Sequence, residues 1–131
     1  MKRHLVFLFL LPLAAVIGCK SGPREIETNL TPPEYFQRAQ QAVIERSDYD
    51  TALAYYNTVL EQYPNDRQNG VIARYEIAFI HYKQENYEEA REGFEEILSL
   101  YQNDQTADLP PWPPVLAEKL LEKMNGSTEA E

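Results

Sequence analysis

The sequence predicts an all-α solenoid made of two helical hairpins and a C-terminal capping helix. Three observations predict this fold class: apolar residues recur at helical spacing, the pattern repeats after 38 residues, and polar breaks interrupt it at matched places. The chain has 131 residues, of which 44% are hydrophobic and 25% are charged. This length and composition suffice for one small folded domain and argue against wholesale disorder.

The two hairpins are predicted from segments 33–66 and 71–104, which match each other along their length. Six pairs of residues align, each separated by 38 positions: Tyr49 with Tyr87, Ala52 with Ala90, Tyr56 with Phe94, Val59 with Ile97, Leu60 with Leu98, and Tyr63 with Tyr101. An internal repeat of about 20–50 residues is typical of solenoid proteins, in which each unit stacks on its neighbour.

Each segment is predicted to hold two helices. In the second segment an apolar stripe starts at Ala90 and continues at i+4, i+7, i+8 and i+11, which is the spacing of one helix face. Breaks at 47–48 and 85–86 divide the segments into helix pairs, and a longer break at 64–70 separates the hairpins. Pro64 marks this longer break because proline cannot continue a helix.

The C-terminal part is predicted to close the open end of the second hairpin. Residues 105–113 form a proline-rich loop, and residues 114–125 form a capping helix with an apolar stripe: Leu116, Leu120 and Met124. Gly126 is expected to stop this helix, and residues 126–131 are expected to be a disordered tail.

The second helix of each unit carries the most specific repeat motif. DYDTALAYYNTVLEQYPND in the first unit corresponds to NYEEAREGFEEILSLYQND in the second, where Gln102 replaces the proline. Both resemble the tetratricopeptide repeat (TPR), a pair of antiparallel helices of about 34 residues. The four extra residues at 67–70, taken with the lipobox described next, are similar to those of BamD-like outer-membrane assembly lipoproteins and Tol-Pal-associated TPR proteins.

The N-terminal sequence MKRHLVFLFLLPLAAVIGC has the features of a targeting segment. Lys2 and Arg3 precede an apolar run that is short for a membrane span. The run ends at Cys19 in VIGC, which resembles the lipobox of bacterial lipoproteins and implies cleavage of residues 1–18 and acylation of Cys19. An ordinary secretory signal or a membrane anchor with a chance cysteine is the alternative. Residues 19–31 are then predicted to be the lipidated cysteine and a flexible tether.

Charge and composition exclude several function classes. The net charge is −9, and becomes −11 after cleavage because 10 basic and 21 acidic residues remain. This balance argues against nucleic acid as a partner. One cysteine and two histidines, His4 and His81, leave almost no ligands for a metal site. Paired carboxylates such as Glu88-Glu89 fit a solvated helix face, so no catalytic residue, metal, cofactor or small-molecule substrate is predicted.

A partner-binding surface is implied by the TPR resemblance, because the first helix of each hairpin lines a concave groove in that family. Carried over by position, the predicted binding residues are Gln41, Ile44, Tyr75, Phe79, Tyr82 and Lys83. The alternative is that Phe79 and Tyr82 lie under the capping helix. Trp112 has two interpretations as well, as part of the core or as a docking residue, and the first is favoured.

The resulting functional hypothesis is a lipid-anchored TPR adaptor that faces the periplasm and holds a protein or peptide partner near the membrane. The resemblance suggests a role in outer-membrane protein assembly or envelope maintenance. Lys20 after the cysteine favours the outer membrane over the inner by enterobacterial sorting habits. A self-associating structural lipoprotein, and an accessory subunit of a cell-wall enzyme, are the alternatives, so homo-oligomerisation stays open.

Overall fold

The computed structural model describes residues 25–102 and 107–128. These residues form five α-helices and no strand, which confirms the all-α fold class. In chain order the helices are α1 (Pro32–Arg46), α2 (Tyr49–Gln62), α3 (Arg67–Lys83), α4 (Tyr87–Leu100) and α5 (Trp112–Thr128). The predicted signal segment and Cys19 lie outside the described residues, as do positions 103–106 and 129–131.

The helices stack as two hairpins and a cap. α1 packs against α2 and α3 against α4, while α2 joins the hairpins through α3 and α5 covers α4 and part of α3. Two clusters of buried side chains result: the first joins α1 and α2 to one face of α3, and the second joins α3, α4 and α5. Equivalent repeat positions take equivalent places, because Tyr56 and Val59 lie in the first cluster where Phe94 and Ile97 lie in the second.

Short polar residues fix where the helices begin. Asp48 Oδ1 accepts a hydrogen bond from the Thr51 backbone N–H at 3.1 Å, and this caps α2. Asp66 Oδ1 accepts from the Asn69 N–H at 3.0 Å, so α3 begins at Arg67. The predicted break at 64–70 is therefore shorter than expected, because the Asp66 cap starts the helix within it.

The segment before α1 is packed rather than free. Residues 25–31 are described, and both Ile26 and Leu30 contact the first cluster. The Leu30 carbonyl accepts a hydrogen bond from the Tyr63 hydroxyl at 2.7 Å, and Glu27 pairs with Arg38 at 2.9 Å. The predicted flexible tether at 19–31 is thus corrected over its last seven residues, because two apolar side chains and these polar contacts hold them against the hairpin.

The capping helix is longer at both ends than the predicted 114–125. α5 starts at Trp112, because Pro113 and the following proline suit the first turn of a helix, where no N–H is needed. Gly126 does not stop the helix, which continues to Thr128. That expectation was wrong because glycine is tolerated inside a helix at a cost of only about 1 kcal/mol relative to alanine.

Candidate functional site

An apolar groove lies between α1 and α3, the first helices of the two hairpins. Its volume is about 130 Å³. α1 contributes Gln40, Val43 and Ile44, α2 contributes Tyr49 and Tyr56, and α3 contributes Glu76, Phe79, Ile80 and Lys83. The groove exists because α1 and α3 each pack on α2 while making little contact with one another.

Helical spacing places the groove residues on single faces of their helices. The α3 residues stand at i, i+3, i+4 and i+7 from Glu76, and the α1 residues at i, i+3 and i+4 from Gln40. Ile44 is 80% exposed, the largest exposed fraction among the big apolar side chains of the described residues. An apolar surface of this kind on a stacked helical repeat marks a place where another molecule can bury area.

Two charged residues line the groove, and they differ in their surroundings. Glu76 is half-buried, whereas Lys83 is exposed at the edge two helical turns further on. Loss of hydration on burial raises the pKa of Glu76 above its ordinary value. Burial also raises the pKa of Tyr56, and the negative charge of Glu76 adds to this effect. The carboxyl group of Glu76 therefore sits in a poorly hydrated wall of the groove.

The structure divides the six predicted binding residues into three groups. Ile44, Phe79 and Lys83 line the groove together. Gln41 is half-buried on α1 outside it, and its neighbour Gln40 takes the place that was expected for it. The other two, Tyr75 and Tyr82, face the second cluster instead.

Tyr75 is a correction to the predicted surface, because it is only 7% exposed. Its ring stacks on Phe79 at 6.1 Å and meets the edge of Trp112 at 4.9 Å between ring centroids. α5 places Trp112 on this face of α3. The aromatic stripe of α3 that was predicted to be exposed is therefore partly covered. Trp112 accordingly closes the core, as the favoured interpretation has it.

Tyr82 also lies beside the capping helix. It is half-buried, its ring stacks on Phe79 at 6.2 Å, and the Lys123 Nζ atom of α5 stands 5.8 Å from its centroid. The expected alternative, that Phe79 and Tyr82 lie under the cap, thus holds for Tyr82. Phe79 is shared, because it also packs against the second cluster while lining the groove.

Six groove residues were not predicted as such: Gln40, Val43, Tyr49, Tyr56, Glu76 and Ile80. Helical spacing puts Glu76, Phe79, Ile80 and Lys83 on one face of α3, but it does not show that this face, rather than the neighbouring one, stays uncovered. The predicted stripe of aromatic residues on α3 is shifted by one position from this groove face, toward the face that α5 covers.

Other chemistry-bearing residues form no comparable site. His81 is half-buried, and its Nδ1 atom has no hydrogen-bond partner among the described residues. Glu88, Glu89 and Glu95 are exposed on α4. Within residues 25–102 and 107–128, no group of three or more potential ligands could hold a metal ion. None of the helices in that same part is long and apolar enough to cross a membrane.

Comparison with known proteins places the fold in a family. Residues 43–108, about half of the chain, match the tetratricopeptide repeat family. This chain belongs to the TPR family. TPR proteins typically bind other proteins and are not catalysts, and stacked helical repeats present extended concave surfaces for this purpose. The groove of this TPR protein lies between the first helices of its two repeats, where the family resemblance implied a binding surface.

A relative in Treponema pallidum (strain Nichols), described as an uncharacterized protein, is 33% identical over 104 residues. The match covers 78% of this TPR protein and 41% of the relative, so the chain spans about two fifths of that protein's length. No solved structure matches the chain.

Proposed function

We propose that this TPR protein is an adaptor that binds a protein partner in the groove between α1 and α3 while an acylated Cys19 holds it at the bacterial envelope. The observation that carries the binding part is the groove itself, in which exposed Ile44 and half-buried Phe79 lie among mostly apolar lining residues. Residues of a binding site that bury apolar area on docking supply most of the free energy of association.

The envelope part of the proposal is supported by the N-terminal sequence. Lys2 and Arg3, the apolar run and Gly18-Cys19 are the elements of a lipoprotein signal, and two or three acyl chains anchor a protein stably where one does not. The anchor would face the periplasm, from the outer membrane rather than the inner. Membership of the BamD-like or Tol-Pal-associated group, with a role in outer-membrane assembly or envelope maintenance, is part of this proposal.

Replacing Ile44 by aspartate tests the groove. Because Ile44 is exposed, the variant should keep its helical circular dichroism spectrum. Loss of a buried anchor of about 2 kcal/mol weakens binding about 30-fold, so the partner should disappear from a pull-down with the full chain as bait. The partner is first identified by crosslinking in cells, from a photo-reactive residue at position 83, followed by mass spectrometry.

Val115→Asp is the matched control, because Val115 is a half-exposed apolar residue on α5, away from the groove. This variant should retain the partner. If instead Val115→Asp lost the partner and Ile44→Asp kept it, the binding surface would be the capping helix and the groove proposal would be wrong.

Replacing Cys19 by serine tests the anchor. The thiol is the group that receives the diacylglyceryl chain in bacterial lipoproteins, so the variant should accumulate as an unprocessed precursor without fatty acid. Growth with radiolabelled palmitate, followed by immunoprecipitation, measures this directly. Label in the Cys19→Ser protein at the wild-type level would exclude the lipid anchor and leave the groove proposal untouched.

A further inference from the structure

Glu76 is the residue of the groove that the fold itself does not explain. Its side chain makes no hydrogen bond or ion pair with any residue that the structure describes, and loss of hydration is the cause that raises its pKa. A half-buried carboxylate without a partner costs folding free energy, because the protein replaces its water without replacing the hydrogen bonds. An apolar or amide side chain of similar size would fit the same place at lower cost.

Among residues 25–102 and 107–128, no cation compensates this charge. Lys83, the one basic residue that lines the groove, stands seven residues further along α3, about 10 Å along the helix axis. The described arginines are elsewhere or have other partners: Arg74, for instance, pairs with Glu96 at 2.9 Å on the opposite side of α3. The site for a positive group next to Glu76 is therefore open from the groove.

Several groove side chains suit one kind of cation in particular. Tyr49 and Phe79, both half-buried, present aromatic rings in the same groove as the carboxylate. A guanidinium group is planar and weakly hydrated, and it stacks on aromatic faces while donating hydrogen bonds to a carboxylate. A lysine ammonium is more strongly hydrated and loses more on entering such a groove.

We propose that the groove selects a protein segment in which one arginine is flanked by apolar residues, and that this arginine pairs with Glu76 while its neighbours contact Ile44 and Phe79. This inference rests on the proposed function of the groove and names the chemistry of its partner. Glu76 is then a specificity-determining residue, which explains why an unpaired carboxylate lies in an apolar wall.

The test uses the full chain and an array of short synthetic apolar peptides that carry one central arginine. Each peptide is printed beside copies in which citrulline, an uncharged isostere, or lysine replaces the arginine. Wild-type protein should prefer arginine over citrulline by about tenfold in affinity, with lysine between them. Glu76→Gln should abolish the preference, and Ile44→Ser, which removes the apolar contact without adding a charge, should abolish binding of all three forms.

Glu95→Gln is the matched control, because it removes the same charge from the exposed face of α4. It should keep the arginine preference, which separates a contact at Glu76 from attraction to a negatively charged protein. Retention of the preference in Glu76→Gln would overturn the inference. Binding that depends on Ile44 but is equal for arginine and citrulline would overturn it too, and would leave the groove as a binding site. Absence of any Ile44-dependent peptide would refute the proposed function and this inference together.

The pH dependence of the thermal midpoint gives a second test, because its result would differ if Glu76 had a purely structural role. Because the pKa of Glu76 is raised in the folded state, the ionised form destabilises the protein above that pKa, and the cost fades as pH falls through it. The groups around Glu76 are Tyr49, Tyr56, Tyr75 and Lys83, and α1 contributes no titratable residue to the groove.

Glu76→Gln should therefore raise the thermal midpoint at neutral pH, and the difference from wild type should shrink in acid. Tyr56 and Tyr75 do not titrate in that range, since burial raises the pKa of both. A lower midpoint for Glu76→Gln at neutral pH would mean that the carboxylate supports the fold, and the inference that it is kept for a partner would be wrong.

Discussion

Replacing Phe94 by alanine is expected to unfold the second hairpin near physiological temperature. Phe94 is 0% exposed and lies in the second cluster beside Tyr75, at 6.0 Å between ring centroids. Deleting a buried aromatic ring costs about 3–5 kcal/mol, because the lost burial and the cavity add. A small domain has about 5–15 kcal/mol of stability in total. The thermal midpoint should fall by about 15 °C or more, measured by circular dichroism.

The matched control is Tyr87→Ala on the same helix. Tyr87 is 48% exposed at the start of α4, so its removal leaves little cavity and should lower the midpoint far less. Equal midpoints for the two variants would show that the second cluster does not hold the cap and hairpin together, which contradicts the two-cluster core.

Local periodicity was enough to predict the helices and their inner faces. Tyr56 and Phe94 occupy matched buried positions because the same apolar stripe repeats in α2 and α4. An apolar stripe indicates the buried face of a helix regardless of which element packs on that face. The predicted break at 47–48 also located the start of α2, whereas Asp66 begins α3 earlier than the break at 64–70 suggested. These features depend on residues close in sequence.

The groove could be predicted only in part, because it depends on which face of α3 the capping helix covers. Tyr75 and Glu76 are neighbours in sequence, yet one is buried under Trp112 and the other lines the groove. Nothing local distinguishes these faces, since both carry aromatic residues. Close approach of two helices is equally hard to predict. No sequence pattern singles out Gly93, and the structure places it against Ala78.

This close approach of α3 and α4 makes Gly93→Ala destabilising, although the substitution improves helix propensity. A Cβ atom at position 93 would stand 2.7 Å from the Ala78 Cβ, closer than such atoms normally come. The propensity gain is about 1 kcal/mol, whereas overpacking costs about 1–3 kcal/mol. The net effect should be a lower thermal midpoint. Gly126→Ala is the control, because that position in α5 has nothing within 4 Å and should gain stability.

A double-mutant cycle isolates the contact itself. Ala78→Gly removes the atom that Gly93→Ala would strike, so the double variant should melt higher than the sum of the two single changes predicts. The coupling arises because α3 and α4 then approach as before, with the methyl group exchanged between the helices. If the changes in thermal midpoint were additive, α3 and α4 would be free to move apart at Gly93 and Ala78. The close approach of Gly93 and Ala78 would then not be what sets the spacing of the second hairpin.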